Sequence, residues 1–160
     1  MAMQHTPLLM SNILDRGATV APNEEIVTLT EIGVRRQTYR ETRDRAHQLA
    51  HALAGAGIKV GDRVGTFMWN GSRHLEAYHA VAGMGAVLHT LNVRLSPKDL
   101  EYIINHAEDQ VIIVDADVLP LLEVLKGRIP CVRKVVVATE EGFEGWSTEL
   151  PDPVDYEAFI

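Results

Sequence analysis

The sequence predicts an α/β fold, a parallel sheet with helices on both faces and an N-terminal β-hairpin. Three observations lead there. Runs such as "RVGTFMW" (63–69) and "QVIIV" (110–114) are apolar without alternation, as strands covered on both sides must be. Between such runs lie stretches with helical spacing and N-cap residues. Ahead of them, the β-branched "IVTLTEIGVRRQTY" (26–39) reads as two strands around Glu31-Ile32-Gly33.

The elements follow in order. Residues 26–39 form the hairpin. Thr38, with Glu41 three residues on, makes a capping box and starts a helix. Ala46, Leu49, Ala50 and Leu53 give it an apolar face, and Arg40, Arg43, Asp44 and Gln48 an outer one. Gly55 and Gly57 stop it. From 63 to 137 strands and helices alternate. Arg63–Trp69 is a strand, Asn70-Gly71 turns, and Ser72 caps a helix to about Ala82. Ala86–Leu91 is a strand and Pro97–Ala107 a helix, with Ser96 as N-cap, Pro97 at the first position and Asp99 at the third. Gln110–Val114, Leu119–Lys126 and Val132–Val137 are strand, helix and strand. The tail "WSTELPDPVDYEAFI" reads as turns. No linker composition divides the chain, so residues 1–160 are expected to form a single domain.

Charge narrows the function classes. Fifteen Lys and Arg against 22 Asp and Glu leave a net charge of -7, which repels nucleic acid and anionic membrane. The longest apolar stretch, "AVAGMGAVL" (80–88), is far short of the ~20 residues of a membrane span. "MAMQHTPLLM" lacks the basic start and apolar core of a signal peptide. Cys131 is the single cysteine and has no internal disulfide partner. A soluble chain in the cytoplasm is the expectation.

Phosphate loops are absent. "GAGIKVG" (55–61) has its third glycine one residue late and lies between helix and strand, the reverse of the dinucleotide order. His47 and His51 stand four apart on a helix without an evident third metal ligand; His74, His79, His89 and His106 are scattered singly. In "HTLNVRLSPKDL" (89–100), "SPKD" is helix punctuation. Asn92 and Arg94 follow a parallel strand's carboxyl end, where open α/β sheets place ligands. Arg94 alone is kept as a candidate for contact with a phosphate. Asp115 and Asp117, the nearest approach to a Mg2+ pair, read as turn and cap residues.

"TYRETRDRAHQLAHALAGAGIKVGDRV" (38–64) resembles the opening stretch of AMP-forming acyl-CoA synthetases, with its T-Y-x-E and G-x-x-x-G-D-R-V patterns. "NGSRHLEAYHAVAGMGAVLHTLNVRLSPKDLEYIINHAEDQVIIVD" (70–115) is similar to their next stretch, nearest to the fatty-acid–CoA ligase branch. The resemblance implies ATP- and Mg2+-dependent activation of a medium- or long-chain fatty acid, followed by transfer of the acyl group to coenzyme A. It also implies a homodimer; apart from the resemblance, apolar surface left uncovered in such a portion favours self-association, with "PLLM" (7–10) a candidate to pack on a neighbour. The Ser/Thr/Gly-rich loop ending P-K-G, the later acidic motif and the C-terminal lysine have no counterpart in these 160 residues. The resemblance therefore assigns no catalytic residue, metal ligand or bound cofactor here. It implies the amino-terminal portion of such a ligase, inactive by itself. The alternative is a free-standing α/β domain that binds a small ligand or another subunit.

Overall fold

The computed structural model describes residues 7, 9–30, 33–139 and 145–160. Leu8 of "PLLM" and the Glu31-Ile32 turn lie outside these residues. The chain enters through α1 (Met10–Val20), a helix not anticipated from the sequence, which buries Leu14 and Ala18. β1 (Glu25–Thr30) and β2 (Gly33–Thr38) pair antiparallel, with Leu29 opposite Val34. This is the predicted hairpin, displaced by one residue.

α2 (Tyr39–Gly55) starts at the expected capping box. The Thr38 hydroxyl accepts from the Glu41 N–H at 3.2 Å, and the Thr38 N–H donates to Glu41 Oε2 at 2.8 Å. Two otherwise unpaired backbone donors are satisfied this way, one of them inside the first turn. Thr42, Ala46, Leu49 and Leu53 form the buried face. Gly57, at φ +85°, then takes the left-handed turn that frees the chain from the helix.

β3 (Arg63–Phe67), α3 (Ser72–Gly83), β4 (Val87–Thr90), α4 (Pro97–Ala107), β5 (Val111–Asp115), α5 (Leu119–Glu123), β6 (Lys134–Ala138), β7 (Pro153–Asp155) and α6 (Tyr156–Phe159) follow. The sheet order is β4-β3-β5-β6-β7, and every pairing is parallel. Val64, Val111, Ile113 and Val136 point to one face and pack with α1, α2 and α3. Phe67, Ile112, Val114, Val135 and Val137 point to the other, against Leu100 and Ile104 of α4 and Leu119 and Leu122 of α5. Two-sided burial explains why these strands read as unbroken apolar runs.

Two expectations need correction. Gly71, not Ser72, is the N-cap of α3, and no side chain caps that end. The backbone of Gly71 is extended, while Ser72 already has a buried place in the first turn. The tail is not all turns: Pro153–Asp155 forms the fifth strand, beside β6. Proline is tolerated there because the strand lies at the sheet edge. The α/β pattern therefore runs beyond 137, to Phe159.

Candidate functional site

The chain leaves β3 toward α3 on one face of the sheet and leaves β4 and β5 toward α4 and α5 on the other. Such a divergence opens a crevice at the carboxyl ends of the strands, the usual ligand position in open α/β sheets. Its rim is formed by residues 68–71 after β3, 91–96 after β4 and 115–118 after β5.

Trp69 is the centre of that rim. Its backbone N–H donates to Asp115 Oδ2 and its indole N–H to Asp117 Oδ2, both at 2.7 Å. The two carboxylates are thus props for the loop after β3, rather than the turn and cap residues expected from sequence. No side chain caps α5. The Trp69 carbonyl lies 3.1 Å from His74 Nδ1. A carbonyl can only accept, so Nδ1 carries the proton, and Nε2 accepts from the Thr66 hydroxyl at 3.0 Å. With its polar groups engaged, the indole still remains 47% exposed.

Arg94 lies on the same rim and is exposed. Its N–H donates to Asn92 Oδ1 at 3.0 Å, so Asn92 shapes the loop. The Arg94 guanidinium has no hydrogen bond or ion pair among the described residues, and its charge is available at the rim. His89 stands apart from the rim, with Nδ1 at 2.8 Å from the buried Asp109 carboxylate. His47 and His51 are exposed on α2, and His47 is 3.8 Å from Asp15. Among the described residues, no three His, Cys, Asp or Glu side chains are grouped as a cation site requires.

A second constellation escaped the sequence reading. Glu76 is fully buried. Its Oε1 accepts from Gln37 Nε2 at 2.9 Å and Arg45 Nε at 2.8 Å, and its Oε2 accepts from the Tyr156 hydroxyl at 2.6 Å. Glu157 accepts two bonds from Arg45, at 2.8 and 2.9 Å, and one from Arg73 at 3.0 Å. Burial and the neighbouring Glu76 push the Tyr156 hydroxyl well above its ordinary pKa, so it stays protonated and donates. Burial opposes the Arg45 charge, but the bonds to Glu157 and Glu76 outweigh it and raise its pKa. The network joins β2, α2, α3 and α6. It is a fastening, with no nucleophile and no open coordination position.

His74 supplies a pH prediction. Burial lowers its pKa from 6.5, against the opposing bond to Trp69, and burial lowers that of His79 in the same way. The unfolded chain therefore takes up these protons at higher pH than the folded one. Stability should be full above pH 6.5 and fall as the pH drops through that value. Asp109 works in the opposite sense, because burial raises its pKa. Glu157, whose pKa is lowered, adds its loss only below 4.5. The urea midpoint is expected to be lower at pH 5.5 than at pH 7.5, with the difference reduced in His74→Gln. A midpoint that rose on acidification would refute this.

Comparison with known proteins places the geometry in context. The family model described as "AMP-binding enzyme" matches residues 14–157. A long-chain-fatty-acid–CoA ligase of Thermus thermophilus is 46% identical over 145 residues, covering 90% of this chain and 27% of the relative. A medium-chain-fatty-acid–CoA ligase of Ectopseudomonas oleovorans is 35% identical over 159 residues, covering 99% and 29%. A 3-methylmercaptopropionyl-CoA ligase of Ruegeria pomeroyi is 40% identical over 136 residues, covering 84% and 25%. Among solved structures, the anthranilate CoA ligase AuaEII superposes with a TM-score of 0.75 at 29% identity, covering 86% of this chain and 26% of that one. The chain spans about a quarter of the length of the curated relatives it matches.

Proposed function

The chain belongs to the AMP-binding enzyme family, and from that premise we propose that it forms the amino-terminal part of a fatty-acid–CoA ligase. The observation that carries this reading is the family match from residue 14 to 157, together with 46% identity to a long-chain ligase. The proposed reaction joins a medium- or long-chain fatty acid to coenzyme A in two steps. A carboxylate acylates poorly until its oxygen is bonded to a good leaving group. ATP, with Mg2+, supplies that group as AMP and releases pyrophosphate; the coenzyme A thiol then displaces AMP. The relatives' names cover long-chain, medium-chain and 3-methylmercaptopropionyl acids, so the acyl group is a matter for a substrate panel.

Within this reading the chain supplies scaffold. Neither the triphosphate nor Mg2+ is assigned to a residue here, since Asp115 and Asp117, the acidic pair at the rim, are committed to Trp69. The reading further includes a homodimer in the cytoplasm. No helix among the described residues is long and apolar enough to cross a membrane. The test is the reading frame beyond codon 160. It should encode a Ser/Thr/Gly-rich loop ending P-K-G, and a frame without one would overturn the proposal.

Two further outcomes are expected. The purified 160-residue chain, given ATP, Mg2+ and a panel of fatty acids, should release no pyrophosphate above a no-enzyme control. Adenylation requires donors around the triphosphate in place before the transition state. Turnover that survives repurification would contradict this. In the full-length ligase, Arg94 is proposed to touch a phosphate of coenzyme A or of the nucleotide. Arg94→Ala should raise the KM for coenzyme A or ATP by no more than about fivefold and leave kcat unchanged, because an exposed ion pair contributes about 0–1 kcal/mol. Unchanged KM values for both would remove the contact.

A further inference from the structure

At the amino terminus of α3, donors outnumber acceptors. Gly71, the N-cap, has no side chain to accept from the first turn, and that turn holds no acidic residue. The first N–H groups of a helix find no partner within it and turn to a side chain, water or a ligand. Ser72, at the first helical position, is 4% exposed, and its hydroxyl bonds to none of the described residues. A helical Cα–Cβ bond tilts toward the amino terminus, so this hydroxyl sits at the helix mouth, beside those N–H groups. The mouth opens through Gly71, which is half-buried, and Asn70, which is exposed.

A cation stands next to that mouth. Thr28 Cγ2 lies 3.6 Å from the position a Cβ on Gly71 would take. Arg35 is the cross-strand partner of Thr28, so the two side chains share the hairpin face that meets α3. The Arg35 side chain is 23% exposed, yet its Nη1 is buried without a hydrogen-bond partner. Its one ion pair among the described residues is long, from Nη2 to Glu157 Oε1 at 3.9 Å. Glu157 is taken up elsewhere, by two bonds from Arg45 and one from Arg73, the second residue of α3. Arg35 therefore lies by the first turn of α3 with most of its donors unspent, and a buried donor left unpaired is costly.

We propose that the mouth of α3 binds a phosphate group, held by the first-turn N–H groups, the Ser72 hydroxyl and the Arg35 guanidinium. Helix amino termini favour anions through both their dipole and their unpaired N–H groups. A tetrahedral oxyanion offers acceptors in several directions at once: to the N–H groups along the helix axis, to a hydroxyl at its edge and to a guanidinium fork at its side. A carboxylate, with two oxygens in one plane, meets fewer of these donors. The acids nearby do not take the place of the ligand, since Glu76 is bonded to Arg45, and Glu157 to Arg45 and Arg73. This goes beyond the ligase reading, in which no residue of α3 or of the hairpin has a part.

The test is isothermal titration calorimetry of the 160-residue chain with inorganic phosphate, at neutral pH and an ionic strength held constant with sodium chloride. One saturable site is expected. Arg35→Gln should weaken it by about tenfold and Ser72→Ala by about threefold, with circular dichroism to confirm that each variant is folded. Lys98→Gln removes a positive charge from α4, on the other face of the sheet, and should leave the affinity unchanged. Glycerol phosphate serves as competitor: displacement assigns an ester and failure to displace assigns the free ion, and either supports the site. The loss caused by Arg35→Gln should recur in the full-length ligase. Absence of a saturable site, or an affinity that Arg35→Gln and Ser72→Ala leave unchanged, would overturn the proposal. So would a loss for Lys98→Gln as large as that for Arg35→Gln, which would reduce the effect to net charge. A difference that disappears in the full-length ligase would overturn it too, because the rest of the ligase would then supply the acceptors.

Discussion

Glu76→Ala is expected to lower the unfolding free energy by about 3–5 kcal/mol, a fall of about 10 °C in the thermal midpoint. The substitution removes the one acceptor shared by Arg45 Nε, Gln37 Nε2 and the Tyr156 hydroxyl. The Tyr156 hydroxyl is then left in a region that water does not reach, Gln37 keeps only its bond to the Thr42 hydroxyl, and Arg45 keeps a side chain only 21% exposed. Breaking a buried charge pair from one side costs more than the pair contributes, because the remaining charge keeps its desolvation penalty. Arg45 retains its bonds to Glu157, which limits the loss. Two milder substitutions separate the contributions. Glu76→Gln keeps the volume and one acceptor and should cost less, and Tyr156→Phe removes a single donor and should cost about 1 kcal/mol. Urea unfolding at neutral pH is the measurement. A loss below about 1 kcal/mol for Glu76→Ala would mean that the network is incidental to stability.

Gly65→Ala is expected to destabilise the chain by about 2 kcal/mol, although alanine is normally the better strand residue. A Cβ at position 65 would stand 3.2 Å from Asp109 Oδ2 and 3.3 Å from both Ile112 Cγ1 and Leu91 Cδ1. None of the three can easily retreat. Asp109 is fully buried and held by His89 at 2.8 Å, and Ile112 and Leu91 lie in the packed core. The gain from restricting the unfolded chain, about 0.5–1 kcal/mol, is therefore smaller than the cost of overpacking. Differential scanning calorimetry decides it, and an unchanged or raised midpoint would show that the Asp109–His89 pair moves aside freely.

What could be read from the sequence was local or periodic. The Thr38–Glu41 box, the Ser96-Pro97 helix start and the apolar runs at β3, β5 and β6 depend on residues a few positions apart, and each is found within about two residues of its expected place. β7 was missed because its three residues carry a proline, and their only pairing is with β6, some 18 positions earlier. α1 was missed because only Leu14 and Ala18 mark its buried face, and Gly17 interrupts it. The Glu76 network was out of reach for the same reason. Tyr156 is 80 positions from Glu76, and Glu157 is 112 from Arg45. No pattern of charges predicts which of 22 acidic residues is buried. At the rim, the type and place of Arg94 could be read, since strand ends follow from strand periodicity. That Asp115 and Asp117 prop up Trp69 required the strands to be side by side.

The strand order sets a schedule for synthesis. β3 is an interior strand, yet the first strand to join it, β4, covers only one of its edges, and its other neighbour ends at Asp115. Some 25 codons separate Thr90 from Asp115. At about 5–20 residues per second, a nascent chain shows the uncovered side of β3 for about 1–5 s after β4 is complete. During that interval the N–H and C=O groups of Val64 to Phe67, and the apolar side chains they carry, are open to any other extended chain nearby. Helix α4 is made in this same interval and contributes Leu100 and Ile104 to one side of the strand. The pace at which residues 91–110 emerge from the ribosome therefore governs how long the open edge of β3 is exposed to its crowded surroundings.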